Sequence, residues 1–308
     1  MSITVNNFRQ EYIPGIIDCW NRTLKYDQIE YHRFIKDVFL DENFDSSLAL
    51  TALDENKVIG FCLGIKRRYP YLTRGLEESR GWISVMFIAP EYQKTGIGHL
   101  IYRECEDRLK EKGVKEITLC AYSPNYFTPG IDLNYPDAIS FFEKLGYKRG
   151  SDAVSMQRSL WNYQLPQKSA ERIAALKQEG YTFRHFTFDD YDQAVNFTNS
   201  EFGGGWARNL IHAVENHEAE DTVILCTDKE NKIVGYCMRK IDGSDSRFGP
   251  IGVHKSLRSS GIGGCLLDLM MEDCSRRGIY YLYFLWTHGD AMRFYEKHGF
   301  ETYRTYYL

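Results

Sequence analysis

Apolar positions along the chain run twice through the same order of elements. In the first pass a short alternating strand at residues 3–5 precedes apolar-periodic helical stretches across residues 12–39. Strands at 48–53 and 57–66 follow, joined by a turn at Asp54, Glu55 and Asn56. A strand at 82–89 meets Pro90 and a glycine-bearing loop that opens a helix over 98–112, closed by Gly113. The pass ends with a strand at 116–122, a long loop, a helix at 136–145 stopped by Gly146, and closing strands to about residue 160. The second pass has a strand at 181–186, helices at 188–201 and 206–216, and a hairpin of 222–227 with 232–241. A strand at 248–253 leads to a second glycine loop and a helix to Arg277, then a strand at 279–286, a helix at 290–298 and a last strand at 300–307.

Residue-level echoes support duplication. Val58-Ile59-Gly60-Phe61-Cys62 answers Ile233-Val234-Gly235-Tyr236-Cys237, and Ala138-Ile139-Ser140-Phe141-Phe142-Glu143-Lys144 answers Ala291-Met292-Arg293-Phe294-Tyr295-Glu296-Lys297. The expected organisation is one domain over 1–160, a linker over 161–180 that includes a possible helix at 170–178, and a second domain over 181–308.

A length of 308 residues suits two domains of ordinary size. The formal net charge of -4 gives no concentrated basic face, so no nucleic-acid partner is expected. The basic run Lys66-Arg67-Arg68 reads as a solvated strand edge. No window reaches the run of about 18 apolar residues that a membrane helix needs, and the N-terminus has no leader pattern. A cytoplasmic protein with no membrane partner is therefore expected. The eight cysteines lie inside apolar patterns without metal-site spacing, so no metal is expected and most read as buried thiols.

Both glycine loops sit between a strand and a helix, where free backbone N–H groups and the helix dipole favour an anion and glycine lets a phosphate come close. One such loop is weak evidence, but a repeat in the same context is stronger. Gln93-Lys94-Thr95-Gly96-Ile97-Gly98 and Arg258-Ser259-Ser260-Gly261-Ile262-Gly263 resemble the Q/R-x-x-G-x-G/A loop of the GNAT superfamily of acyl-CoA N-acyltransferases. The segment from Ala291 to Phe300 resembles that superfamily's A-x-x-F-Y-E-K-x-G-F stretch, and Ala138 to Tyr147 matches it with one change. The resemblance implies an α+β fold of two GNAT-like domains, each a mixed, mostly antiparallel splayed sheet flanked by helices. It implies acetyl-CoA as co-substrate, its pyrophosphate on the glycine loops and its pantetheine paired with Phe87 and Ile88 in the first domain and with Ile251 and Val253 in the second.

Acyl transfer to an amine needs a neutral amine, a stabilised oxyanion and a proton for the departing thiolate. By the resemblance that proton comes from a tyrosine, which is Tyr295 in the second domain; the matching residue of the first is Phe142, with no proton to give. The expected function is thus acetyl transfer to a primary amine of a small molecule, peptide or protein, with the C-terminal domain the catalyst. A non-catalytic acyl-CoA sensor or scaffold is the alternative, and a P-loop protein is disfavoured because neither loop continues into Gly-Lys-Ser/Thr. His288 is the candidate base, with His254 and Asp245 as neighbours of the strand. Trp206, after three glycines, is a candidate acceptor-pocket residue. The loop 122–135 of the first domain is about a dozen residues longer than its counterpart and long loops often carry function. It brings Tyr122, Tyr126, Tyr135 as hydroxyls and Asp132 as a carboxylate for a cationic amine. The acceptor's identity and the oligomeric state are not legible.

Overall fold

In the computed structural model, which describes residues 2–125 and 127–307, the chain divides into two units: Met1–Asp152 with Tyr306–Leu308, and Ala153–Thr305. Each unit builds an open sheet with helices against it, the α+β class that the resemblance implied.

The first unit is a five-stranded sheet in the order β1-β2-β3-β4-β5. Strands β1 (Ile3–Asn7), β2 (Ala49–Asp54), β3 (Lys57–Lys66) and β4 (Arg80–Ile88) pair antiparallel, and β5 (Glu116–Leu119) joins β4 in parallel. Helix α1 (Ile13–Thr23) buries Ile13, Ile16, Cys19 and Trp20, the stripe that a 3.6-residue period puts on one face. The expected helical stretch 12–39 is broken after Thr23: only the short α2 (Tyr31–Phe34) and one wide turn at Ile35–Phe39 follow the intervening loop. Helix α3 (Ile97–Glu111) buries Ile97, Ile101, Cys105 and Leu109 at four-residue spacing against the other face of the sheet. The two-residue β6 (Ile131–Asp132) pairs with Tyr306 and Tyr307, and α4 (Pro136–Lys144) follows it, with Pro at its start.

The expected strand 116–122 is shorter than the pattern implies. It stops at Leu119 because Cys120 and Ala121 take positive φ values of 56° and 49°, which turn the chain away from β4. The last bond across the pair runs from the Cys120 N–H to the Ile83 carbonyl at 2.9 Å. Beyond it β4 and β5 diverge.

In the second unit β7 (Asp152–Ser159) leads to α5 (Gln167–Gln178), and β8 (Thr182–His185), α6 (Tyr191–Phe202), α7 (Gly204–Glu215) and α8 (Ala219–Thr222) follow. Strands β9 (Val223–Thr227), β10 (Ile233–Arg239) and β11 (Phe248–Val253) make a sheet with β8 in the order β11-β10-β9-β8. Helix α9 (Ile262–Arg276) covers it, burying Ile262, Cys265, Leu266, Met270 and Cys274 among others. Then come β12 (Tyr281–Thr287), α10 (Gly289–Lys297) and β13 (Glu301–Tyr307), with β7 lying between β12 and β13. β11 and β12 meet at a single bridge, Arg247 to Tyr283, and diverge after it. The same fork thus forms in both units.

Among the described residues, no helix is long and apolar enough to cross a membrane, and no cluster of three or more His, Cys, Asp or Glu could hold a metal ion.

Candidate functional site

The two glycine loops share one backbone. Lys94 and Ser259 both sit in the left-handed region, at φ 61° and 70°, and Gly96 and Gly261 cap their helices at φ 92° and 90°. Left-handed residues alternating with right-handed ones at a helix N-terminus form a concavity of N–H groups suited to an anion. In the first unit Gln93 Nε2 donates to the Ile88 carbonyl at 2.9 Å and Thr95 Oγ1 to the Tyr92 carbonyl at 2.7 Å, so the side chains brace the loop from behind. Nothing lies within 4 Å of where a Gly96 Cβ would be, and the cradle is open.

That open cradle is one end of a cavity of about 540 Å³ that fills the β4–β5 fork. Its size suits a small-molecule ligand. Phe87 and Ile88 of β4 line it, with Ser84 deeper in the fork and Cys120 on the opposite branch. Its charged lining is mixed: Lys94, paired with Asp137 at 3.3 Å, His99 and Lys144 line it, as does Gln93 of the cradle, and Asp27, Asp132 and Tyr135 line it from the segments between α1 and α2 and between β5 and α4.

Local bonds tie those loops to their neighbours. Trp20 Nε1 donates to the Asp27 carbonyl at 2.6 Å, and the Asn21 side chain bonds both the N–H and the carbonyl of Ile29, at 2.7 and 2.9 Å. The loop after α1 is therefore pinned to that helix, and the Asp27 carboxylate accepts from the Tyr135 hydroxyl at 3.0 Å. The long loop is tied down by Phe127, whose ring packs edge-on against Trp20 at 5.3 Å, and by Asn125, which donates to Asp41 at 2.7 Å.

The expected residues separate accordingly. Tyr122 is fully buried, donating to Asp41 at 3.0 Å and accepting from Asn43 at 2.9 Å, which is a structural role. Tyr135 and Asp132 line the cavity, Asp132 being 2% exposed with one oxygen accepting from the Asn134 N–H at 2.8 Å. Tyr126 lies outside the described residues. Cys120, which the apolar pattern groups with the buried thiols, is the one cysteine that is not fully buried. Burial nonetheless pushes its thiol up to about 11, eased by a bond to Thr128 and raised further by Asp27.

In the second unit side chains approach the corresponding positions, although Gly261 itself is exposed like Gly96. Arg172 of α5 lies against Gly261, its Nε 3.1 Å from where a Cβ would be, and both Nε and Nη2 donate to the Ser260 carbonyl at 2.9 and 2.6 Å. On β11, a Cβ at Gly252 would meet the Phe202 ring at 2.3 Å. Phe202 in turn stacks on Trp206 at 4.2 Å, and Trp206 packs toward Tyr236 at 6.1 Å. Ile251 and Val253 are half-buried. Tyr295 sits in an aromatic cluster, 4.3 Å from Phe284, 5.6 Å from Phe300 and 6.3 Å from Phe248, and burial pushes its phenol well above the ordinary value. His288 is exposed and tilts against Trp286 at 5.3 Å; His254 pairs with Ser256 at 2.7 Å and faces Glu201 at 3.5 Å. Asp245 is held by Arg239 at 3.2 Å. These groups are not brought together with Tyr295 by any bond among those described.

Sequence reasoning passed over Asp27, Ser84 and Cys120. Asp27 stands in an unpatterned loop, and Ser84 and Cys120 read as ordinary strand positions; only the fork gives them a shared wall.

Residues 6–147 match the model of the acetyltransferase (GNAT) family, and residues 218–302 match that of an acetyltransferase (GNAT) domain. Among solved structures, a glucosamine N-acetyltransferase region of a fungal multi-domain GH3 β-N-acetylglucosaminidase is similar at a TM-score of 0.80 and 19% identity. That match covers 99% of this chain, which spans 37% of the fungal one. A GCN5-related N-acetyltransferase from Sphaerobacter thermophilus gives 0.72 and 16% over 99% of this chain and 94% of that one. A tandem GNAT protein from the clavulanic acid biosynthesis pathway gives 0.68 and 12% over 99% and 97%. No curated protein matches the chain.

Proposed function

The chain belongs to the GNAT acetyltransferase family as a tandem member, and from that premise we propose that it transfers an acetyl group from acetyl-CoA to a primary amine of a small molecule, peptide or protein, using the N-terminal unit. The observation that carries this reading is the cavity of about 540 Å³ in the β4–β5 fork, with an open phosphate cradle on its wall and the carboxylates of Asp27 and Asp132 in its lining. The resemblance pointed to the C-terminal copy through Tyr295. The approach of Arg172 to Gly261 and of Phe202 to Gly252 favours a structural or cofactor-binding role for that copy.

In this scheme Gln93 to Gly98 take the pyrophosphate on their N–H groups, and the backbone of Phe87 and Ile88 pairs with the pantetheine. Asp27 and Asp132 draw in a cationic amine. The ammonium gives one proton to solvent before it attacks, and the Asp27 carboxylate accepts the second from the nitrogen as the C–N bond forms. Tyr135, bonded to Asp27 at 3.0 Å, stands in for the tyrosine that Phe142 lacks and gives a proton to the CoA thiolate. The proton passed to Asp27 then restores the Tyr135 hydroxyl, so the pair ends as it began.

Release of free CoA thiol from acetyl-CoA over an amine panel tests the activity. Tyr135→Phe is expected to lower kcat about 100-fold or more while leaving acetyl-CoA affinity intact, because general acid–base groups contribute on that scale. Unchanged kcat would remove Tyr135 from its role, and no thiol release over the panel would favour the sensor reading.

A further inference from the structure

Ser84 is a buried polar group at the apex of the fork, and three independent features single it out. It is the extra residue of a β-bulge: Leu63 pairs with Val85 and Gly64 with Ile83, so Ser84 has no register partner on β3. On the other side Ile83 is the last β4 residue paired with β5, so Ser84 is the first residue past the divergence. Its hydroxyl, in a residue 3% exposed that lines the cavity, has no hydrogen-bond partner. A buried hydroxyl without a partner is unfavourable unless something that binds there completes it.

What arrives there follows from length. Ser84 lies four residues before Ile88, where the cradle begins, so at ~3.3 Å per residue the two are separated by roughly 13 Å along β4. An extended pantetheine arm has a reach of that order, which brings the thioester of a bound acyl-CoA to the bulge.

We infer that Ser84 Oγ is the hydrogen-bond donor to the acyl carbonyl oxygen of acyl-CoA bound in the N-terminal fork, an inference that rests on the reading of that fork as the acyl-CoA site. As the amine nitrogen forms its bond to the carbonyl carbon, the C=O electron pair moves to oxygen, and the Ser84 O–H bond points at that oxygen. When the pair returns, the C–S bond breaks and its electrons leave on sulfur. Ser84 keeps its proton throughout.

The test needs no knowledge of the acceptor. Binding of acetyl-CoA and of free CoA to the intact chain is measured calorimetrically in wild type, Ser84→Ala and Gly98→Glu. An added Cβ at Gly98 makes only ordinary contact with Phe141, at 3.5 Å, and the carboxylate beyond it opposes the pyrophosphate; a thermal melt of Gly98→Glu confirms that the variant is folded. Wild type is expected to hold acetyl-CoA more tightly than CoA, and Ser84→Ala to lose about three- to tenfold for acetyl-CoA with CoA affinity unchanged. Isotope-edited infrared spectra of carbonyl-labelled acetyl-CoA should show a lowered C=O stretch in wild type that returns toward the free value in Ser84→Ala. The same acetyl-CoA affinity in wild type and Ser84→Ala while Gly98→Glu weakens both ligands, or a stretch indifferent to Ser84, overturns the inference while leaving the fork as the acyl-CoA site. Gly98→Glu without effect on either ligand overturns the site itself.

Discussion

Alkylation of Cys120 reads the occupancy of the N-terminal fork directly. The thiol lines the cavity and burial pushes its pKa up to about 11. At pH 7 such a thiol is thiolate in about one molecule in ten thousand, against about one in thirty for a free cysteine near 8.5, a ratio of about 300. Since the thiolate is the nucleophile, iodoacetamide labelling of Cys120 should run about 300-fold slower than that of a free thiol, before any steric term. The rate should climb about tenfold per pH unit up to about pH 11. The sign for stability runs the other way. With the folded pKa raised, the neutral thiol's contribution is whole below about pH 8.5 and fades as pH rises through about 11. Acetyl-CoA at ten times its Kd should slow labelling about tenfold, because only the free fraction exposes the thiol. Peptide mass spectrometry of timed samples measures each rate. A labelling rate that levels off below pH 9 would refute the account of the thiol, and labelling indifferent to saturating acetyl-CoA would place the ligand outside this fork.

Tyr295→Phe should leave thiol release within about twofold of wild type, since its ring is packing for Phe248, Phe284 and Phe300; a 100-fold loss of the kind a general acid gives would return the chemistry to the C-terminal unit. Asp268, 2% exposed, accepts from Tyr163 at 3.2 Å and Ser169 at 2.5 Å and is paired with His298 at 3.1 Å. Asp268→Ala leaves these partners unmatched and should destabilise the second unit by about 3 kcal/mol in a urea melt. Burial opposes the Asp268 charge, yet His298 and Ser169 bring its pKa below the ordinary carboxylate value. Its contribution is therefore full above about pH 4 and lost as the pH falls below that, a drop that Asp268→Ala should abolish.

The elements and their repeat were legible in periodicity, and the fold they build through the resemblance of the two loops. The four-residue spacing of Ile97, Ile101, Cys105 and Leu109 announces α3, and the paired loops announce the cradle through glycines that the αL caps at Gly96 and Gly261 require. The fork was only half legible. Nothing in Cys120 and Ala121 signals left-handed backbone, so the end of β5 went unread and with it the shared wall of Ser84 and Cys120. The weighting of the two copies illustrates the limit best. A tyrosine in place of Phe142 favoured the C-terminal copy, but what packs around each loop and strand depends on pairs distant in sequence, such as Arg172 by Gly261 and Phe202 on Gly252. Single-sequence patterns carry no record of such pairs. Asp27 escaped for a similar reason, since its position is fixed by Trp20 and not by its own neighbours' pattern.

The central claim, that the N-terminal fork is where acetyl-CoA reacts, is tested most directly by putting one glutamate in each cradle and following CoA-thiol release from acetyl-CoA with an amine that wild type accepts. Gly98→Glu should abolish release, and Gly263→Glu should leave it within about threefold of wild type, since a charge opposing phosphate matters only in the cradle that is used. Release that survives Gly98→Glu and vanishes with Gly263→Glu would contradict the account.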